Sequence, residues 1–457
     1  MSGAVLVRRT ATTAVLAAMA LVVLDAGLAS VALPEIARSL GITPAASILV
    51  ASSYQLAVLM GLLPAAQLAD RLGQRRLFVV GAAIFSLSSA AAAFAPGLEV
   101  LVVARFVQGL GGSAILALGI SLLRSTLGTD RLGSAIAWNA MNVAICAAAG
   151  PAIGALILTF AAWRWLFLAT LPLCLLVIAA SFALPRSERR RSSVDLGGIV
   201  LHAGGAFSLF ATFQWGWARP AAGLGLAMVS GACFAALLKR ERHSERPLIP
   251  MDLLGGAQFR RAVLASICCF AAQSAGLLAL PFYVQHELSG TNLSAGLVLA
   301  SWPIAVAVTS SFTNRLALRH GPRLLCGAGA SILASGLLFA AVVPAEWGLA
   351  ALAACAMLCG IGFSLFQIPN NHSLFLAAST ERSAAAGGMQ GTARLAGQTT
   401  GSLLLAQLFT WSHDVAPARL VMGVAALAAL AAAIVSSRQS APDRGRAVGG
   451  LVGNANA

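Results

Sequence analysis

The chain has 457 residues, of which 59% are hydrophobic and only 10% charged, with a mean hydropathy of +0.85. A soluble domain carries about 25% charged residues, so a water-soluble enzyme is excluded. The net charge of +15 rests on arginine, and the single lysine, Lys239, follows a leucine; without a Gly-Lys-Ser/Thr phosphate loop, a self-contained ATP-driven pump is excluded too.

A bilayer core about 30 Å thick takes about 20 apolar residues per helix. That length predicts spans starting near residues 11, 47, 77, 98, 133 and 164. Two more start near 195 and 221, and six near 262, 293, 323, 347, 384 and 416. The expected fold is all-α and integral to the membrane, with fourteen spans. Residues 1–190 make a six-helix bundle, 191–245 two linker helices, 246–436 a second six-helix bundle and 437–457 a disordered tail.

Arginine placement predicts the orientation. Arg38, Arg164, Arg219 and Arg419 lie at one set of helix ends, and Arg105 and Arg394 lie inside spans; the other arginines and Lys239 gather at the opposite ends. Short-loop Lys and Arg stay cytoplasmic, so both termini are expected in the cytoplasm and the charge reads as topology, with no nucleic-acid partner. Arg8 and Arg9 precede an apolar run as in a signal peptide, but removing that span would invert the charge rule for every later one. The near-replacement of lysine by arginine points to a bacterial cytoplasmic (inner) membrane. The cysteines lie within apolar spans without zinc-site spacing, so no metal is expected.

An internal repeat divides the chain. Leu68 to Arg75 recurs as Leu316 to Arg323, about 248 residues later, Gly109 and Gly111 return as Gly360 and Gly362, and Gly150 and Gly154 as Gly397 and Gly401. Repeats of this kind mark secondary transporters, whose substrate site lies near the midplane between the halves.

Charge within the spans is rare. Asp25 lies about nine residues before Pro34 and Arg105 about eight after Gly97, each about 12–13 Å below the same surface. A charge at the bilayer centre costs at least ~2.5–3.5 kcal/mol, so the two are expected to pair inside the protein. Asp25 either binds a proton as substrate comes and goes, or the pair only locks two helices. Buried pairs compare poorly with apolar packing for stability, and Asp25 is the only carboxylate deep within a span, which favours the proton.

Uncharged polar groups also cluster at helical spacing: Tyr54 and Gln55 on the second helix, Asn139 and Asn142 beside Trp138 on the fifth, Gln367, Asn370 and Asn371 on the twelfth. Each set either lines a substrate cavity or ties helices together. Gln390, Arg394 and Gln398 form an i, i+4, i+8 stripe on the thirteenth; Arg394 either lines the cavity or caps a neighbour's carbonyls. Gly150-Pro151-Ala152-Ile153-Gly154 is expected to interrupt the fifth helix, as a hinge or a close contact. Leu68 to Arg76 makes a tight cytoplasmic turn in which Asp70 can accept from the N-terminus of a facing helix, with Gly73 flanked by Arg71, Arg75 and Arg76.

Together these residues resemble the major facilitator superfamily, and within it the fourteen-span drug:proton antiporters, over about 10–436. Leu24 to Pro34 is similar to that family's first-helix motif, Ala66 to Arg76 to its loop motif, Arg105 to Gly109 to its fourth-helix arginine motif and Gly150 to Ala155 to its antiporter motif. Ala66 and Ala155 stand where glycine is usual. The resemblance implies alternating access driven by the proton gradient, with no cofactor. Asp25 would carry the proton, Arg105 assist it, and Asp70 latch an inner gate. The expected cargo is a small amphiphilic or cationic compound, and the expected working unit a monomer. Transport of a specific metabolite, or lipid flipping, remains as an alternative on the same scaffold.

Overall fold

The computed structural model describes residues 2–128, 132–185, 194–216, 219–242, 251–377, 382–411 and 417–438. The expected domain junctions near 190 and 245, and the expected disordered tail beyond 438, lie outside the described residues.

Every predicted span is a helix. In chain order they are α1 Ser2–Leu40, α2 Leu49–Leu72, α3 Gln74–Ala93, α4 Leu98–Leu127, α5 Leu132–Phe160 and α6 Arg164–Ser181. There follow α7 Leu196–Trp215, α8 Pro220–Glu241, α9 Ala257–Phe282, α10 Asn292–Arg319, α11 Pro322–Val342, α12 Gly348–Leu376, α13 Ser383–Trp411 and α14 Pro417–Ser437. Among the described residues, thirteen helices are long and apolar enough to cross a membrane. The remaining one is α13, 29 residues long. Its length suffices, but Gln390, Thr392, Arg394, Gln398, Thr399 and Thr400 lower its hydropathy.

Two sequence expectations need correction. Helix α1 does not end near Pro34 but carries that proline inside it and runs to Leu40. Asp25 therefore sits fifteen residues from that end, roughly 22 Å at about 1.5 Å per residue. Nor does the Gly150–Gly154 segment interrupt α5, which is continuous over 29 residues with Pro151 inside. A proline removes one backbone bond, and the bonds on either side suffice to carry the helix through.

The sequence repeat is a repeat of contacts. Gly109 of α4 abuts Tyr54 and Ala57 of α2, and Gly360 of α12 abuts Trp302 and Ala305 of α10. Gly81 meets Gly111 and Ala114 as Gly329 meets Gly362 and Phe366. Gly150 and Gly154 bring α5 against Leu24, Gly27, Leu28 and Val31 of α1; Gly397 and Gly401 bring α13 against Ile267, Phe270 and Ala271 of α9. Small residues let helix backbones approach within van der Waals reach, the main source of cohesion between helices in lipid. The two sets join along matched seams, α5 with α10 and α2 with α13, each pairing one helix with the repeat-mate of the other.

The linker helices sit to one side. Helix α7 packs on α8, α2 and α13, and therefore covers the α2–α13 seam. Asp195 caps α7 by accepting from the Gly198 N–H at 3.0 Å, and Arg240 of α8 forks onto the same carboxylate at 2.7–3.0 Å.

Candidate functional site

Asp25 and Arg105 meet, as the cost of leaving either charge alone in a span predicts, although they lie at different distances from the ends of α1 and α4. Arg105 Nη1 donates to Asp25 Oδ2 at 2.5 Å, with both side chains 1% exposed. Gln108, one turn along α4, completes the arrangement: its Nε2 donates to Asp25 Oδ1 at 3.0 Å, and its Oε1 accepts from Arg105 Nη1 at 2.6 Å. Arg105 Nε donates to the Val50 carbonyl at 3.3 Å. The guanidinium lies over the Tyr54 ring at 4.4 Å and near the Phe167 ring at 5.5 Å. Both carboxylate oxygens thus have donors, in aromatic surroundings that exclude water, where charge-assisted hydrogen bonds are strongest.

The expected cavity residues divide. Tyr54 is buried beneath Arg105, so it belongs to the charge site rather than to an open cavity. Asn142 donates to the Leu16 carbonyl at 2.9 Å, and Asn370 to the Ala262 carbonyl at 3.2 Å and Ser266 Oγ at 2.7 Å. Both are ties between helices. Trp138 is 59% exposed. It shares a stripe with Met141, Ile145, Ile153 and Leu156, which lies away from the α1 and α10 contacts of α5 and faces outward. Trp138 adjoins Asn139 in sequence, but neighbouring residues lie about 100° apart round a helix, so the two do not share a face.

The others stay inside. Gln390 Nε2 donates to Asn371 Oδ1 at 3.3 Å, joining α13 to α12, with Gln367 half-buried one turn before Asn371. Gln55 Oε1 and Asn139 Oδ1 are buried with no hydrogen-bond partner among the described residues, as is Arg394 Nε. On α2, Gln55 shares a face with Leu62, which touches Gly391 of α13. Seven residues from that contact along each antiparallel helix bring Gln55 and Gln398 to the same depth, roughly 10 Å away. Sequence reasoning missed Gln273 of α9, whose Oε1 is also buried and unpartnered; a lone amide in an apolar span is the signal. Gln108 was legible too, three residues from Arg105.

The two ends of the bundle differ. At the end opposite the arginine-rich one, Arg38 of α1 donates to Gln285 beyond α9 at 3.0 Å, and Gly296 of α10 lies against Pro151 and Ala155 of α5. One apolar cluster there takes in Leu33, Ile36 and Leu158 together with Phe282, Tyr283 and Val298. At the arginine-rich end, Gly73 turns the chain with φ 90°, a conformation that favours glycine. Asp70, Arg71 and Arg76 are exposed, and Arg75 lies 5.9 Å from the Phe182 ring. Asp70 has no hydrogen-bond or ion-pair partner among the described residues. The two halves meet at the end opposite the arginines, whereas Asp70 of the expected gate turn meets no described polar partner.

A family model described as Major Facilitator Superfamily matches residues 15–402. The chain is 37% identical over 433 residues to "Uncharacterized transporter YebQ" of Escherichia coli (strain K12), covering 93% of this chain and 94% of that protein. It is 27% identical to "Tetracenomycin C resistance and export protein" of Streptomyces glaucescens (86% and 74% covered), and 29% to "Puromycin resistance protein pur8" of Streptomyces alboniger (90% and 84%). A crystal structure of a POT family transporter in complex with a thioalcohol conjugated peptide superposes with a TM-score of 0.71 at 13% identity, covering 93% of this chain and 94% of that one. That likeness speaks to the fold.

Proposed function

This chain belongs to the Major Facilitator Superfamily, and on that premise we propose that it is a proton-coupled antiporter exporting amphiphilic compounds from a bacterial cytoplasm. The reading takes fourteen spans with both termini cytoplasmic, counting α13 as a span. The halves 1–190 and 246–436 rock about the paired seams, and a single chain suffices because both seams lie within it. The proton gradient is the energy source, and no cofactor takes part.

The observation that carries the reading is the Asp25–Arg105–Gln108 network. In the arrangement described, both carboxylate oxygens accept, one from Arg105 and one from Gln108. Protonation removes the charge that Arg105 answers and converts one oxygen from acceptor to donor, so the contact between α1 and α4 must change. Gly27, two residues along α1, packs on Gly150 and Pro151 of α5, and α5 packs on α10. A proton at Asp25 therefore acts on the seam between the halves through two direct helix contacts. In the opposite arrangement the Gly73 turn closes, with Asp70 accepting from a facing helix N-terminus and Arg71, Arg75 and Arg76 beside it. Relatives named for drug resistance and export support the outward direction.

The test is accumulation of fluorescent amphiphiles in energised inverted vesicles. Wild type should accumulate them and lose the ability when an ionophore collapses the gradient. Asp25→Asn should insert normally and accumulate none. Full accumulation by Asp25→Asn would overturn the reading, and uptake in the inward direction would favour a metabolite carrier.

A further inference from the structure

We propose that the cargo carries an acidic group and that Arg394 is its anchor, so that the cavity selects amphiphilic organic anions. This deepens the proposed function and rests on it for the direction of movement.

Three charged side chains lie deep within the spans, and they are not equally satisfied. Asp25 and Arg105 answer each other. Arg394 has no ion pair and no hydrogen bond with any described residue, and its Nε is buried. It sits eleven residues inside α13, roughly 16 Å from the Ser383 end, too deep for its side chain to reach a headgroup easily. A carbonyl-capping role would require a bond to a neighbouring backbone, and none is made.

Its direction follows from the helix around it. Gly391 and Gly388 of α13 approach Leu62 and Leu63 of α2, whereas Gly397 and Gly401 approach the backbone of α9. At about 100° per residue, Arg394 projects between these two faces, into the space bounded by α2 and α9. Gln390 and Gln398 flank it one turn away on either side, and Gln55 lies on the α13-facing side of α2. The residues that face the α13 glycines around it, Leu62 and Leu63 of α2 and Phe270 of α9, are apolar.

An isolated guanidinium in this setting calls for a counter-anion, and no described residue supplies one there. Asp25, the only carboxylate deep within a described span, is already paired. A carboxylate or similar acid on an apolar body would fit, its two oxygens matching the guanidinium fork and its body the apolar lining. A lipophilic cation would meet net positive charge, which narrows the sequence expectation of an amphiphilic or cationic compound to the amphiphilic acids. The same chemistry exists in an anionic lipid headgroup, and the test separates the two.

The test measures binding in nanodiscs without any gradient, using an aromatic carboxylate probe and its uncharged amide. Wild type should bind the carboxylate at least about tenfold more tightly than the amide, the ratio a charge-assisted bond supports. Arg394→Lys should keep a preference, and Arg394→Gln should bring the ratio to about one, with thermal unfolding confirming that each variant is folded. Equal binding of both probes by wild type would overturn the proposal, whatever the variants do. So would a preference that survives Arg394→Gln. Displacement of the probe by phosphatidylglycerol but not by soluble acids would assign the site to lipid and also overturn the proposal. Acid binding that depends on Arg394, without proton-linked movement, would leave this inference standing and remove the antiporter. Proton-linked movement of cations with no acid binding would do the reverse.

Discussion

Gly27 and Gly150 hold α1 and α5 at backbone contact: a Cβ on Gly27 would lie 3.2 Å from Gly150 Cα and 3.1 Å from Pro151 Cδ. Asp25 is two residues away on α1. The proposed proton site and the glycine-proline segment, read separately from sequence, therefore lie on directly packed stretches of α1 and α5, and α5 continues from there to the seam with α10.

That seam predicts a conformational effect at Gly296. A Cβ there would fall 2.7 Å from the Pro151 carbonyl oxygen and against Ala155. Backbone cannot retreat as a flexible side chain can, and overpacking of this kind costs about 1–3 kcal/mol. The cost applies only while the α5–α10 contact is closed. Gly296→Ala should shift the population toward the arrangement open at that end, seen as a longer distance between spin labels near Arg38 and Gln285. An unchanged distance distribution would contradict this.

Removing Gln108 should impair coupling more than assembly. Gln108→Leu leaves Asp25 Oδ1 without its donor, and an unsatisfied buried acceptor costs about 1–3 kcal/mol, or roughly tenfold or more in turnover. Gln108→Glu should be worse, because a second acid would compete for Arg105. Transport rates at matched expression measure both, and wild-type rates in Gln108→Leu would show that the glutamine is only packing.

The linker helices carry a pH prediction. Hydrogen bonds from Arg240, opposed in part by burial, hold the Asp195 carboxyl below the usual carboxylate range. A depressed folded value means that the α7–α8 clasp has its full contribution above the ordinary carboxylate pKa and loses it as pH falls through the lower, folded value. Protection of α7 and α8 against hydrogen exchange should therefore be flat from neutral to mildly acidic pH and fall only below. Asp195→Ala also removes the α7 cap, worth about 1 kcal/mol, so it should loosen α7 at all pH values.

Trp138 gives a negative prediction. Because it faces outward on α5, Trp138→Leu should leave transport within about twofold, consistent with surface changes of about 0.5 kcal/mol or less. A substrate-dependent loss would return Trp138 to the cavity.

What was legible in the sequence follows from cost. Asp25 and Arg105 stood out because charge in a span is expensive; the equal depth read from Pro34 did not hold, because α1 runs on to Leu40. The glycine pairs stood out because they recur at one offset, and each recurs as the same helix contact. The roles of the amides were not legible: whether Asn142 or Asn370 faces a cavity depends on which carbonyl a neighbouring helix presents, Leu16 or Ala262, and no local pattern encodes that. Trp138 was placed with Asn139 because the two adjoin in sequence, whereas a step of about 100° per residue carries it to the exposed side of α5. The end of α1 was misjudged because Pro34 was read as a stop, whereas the helix accommodates it.

The most direct test of the central claim uses inverted vesicles with an acid interior and a pH-sensitive dye, to which amphiphilic acids, neutral compounds and cations are added in turn. Proton release from wild-type vesicles on adding a transported compound, absent in Asp25→Asn, is the predicted result. Release that persists in Asp25→Asn, or transport of the compound with no proton release from wild type, would contradict the claim that Asp25 couples export to protons.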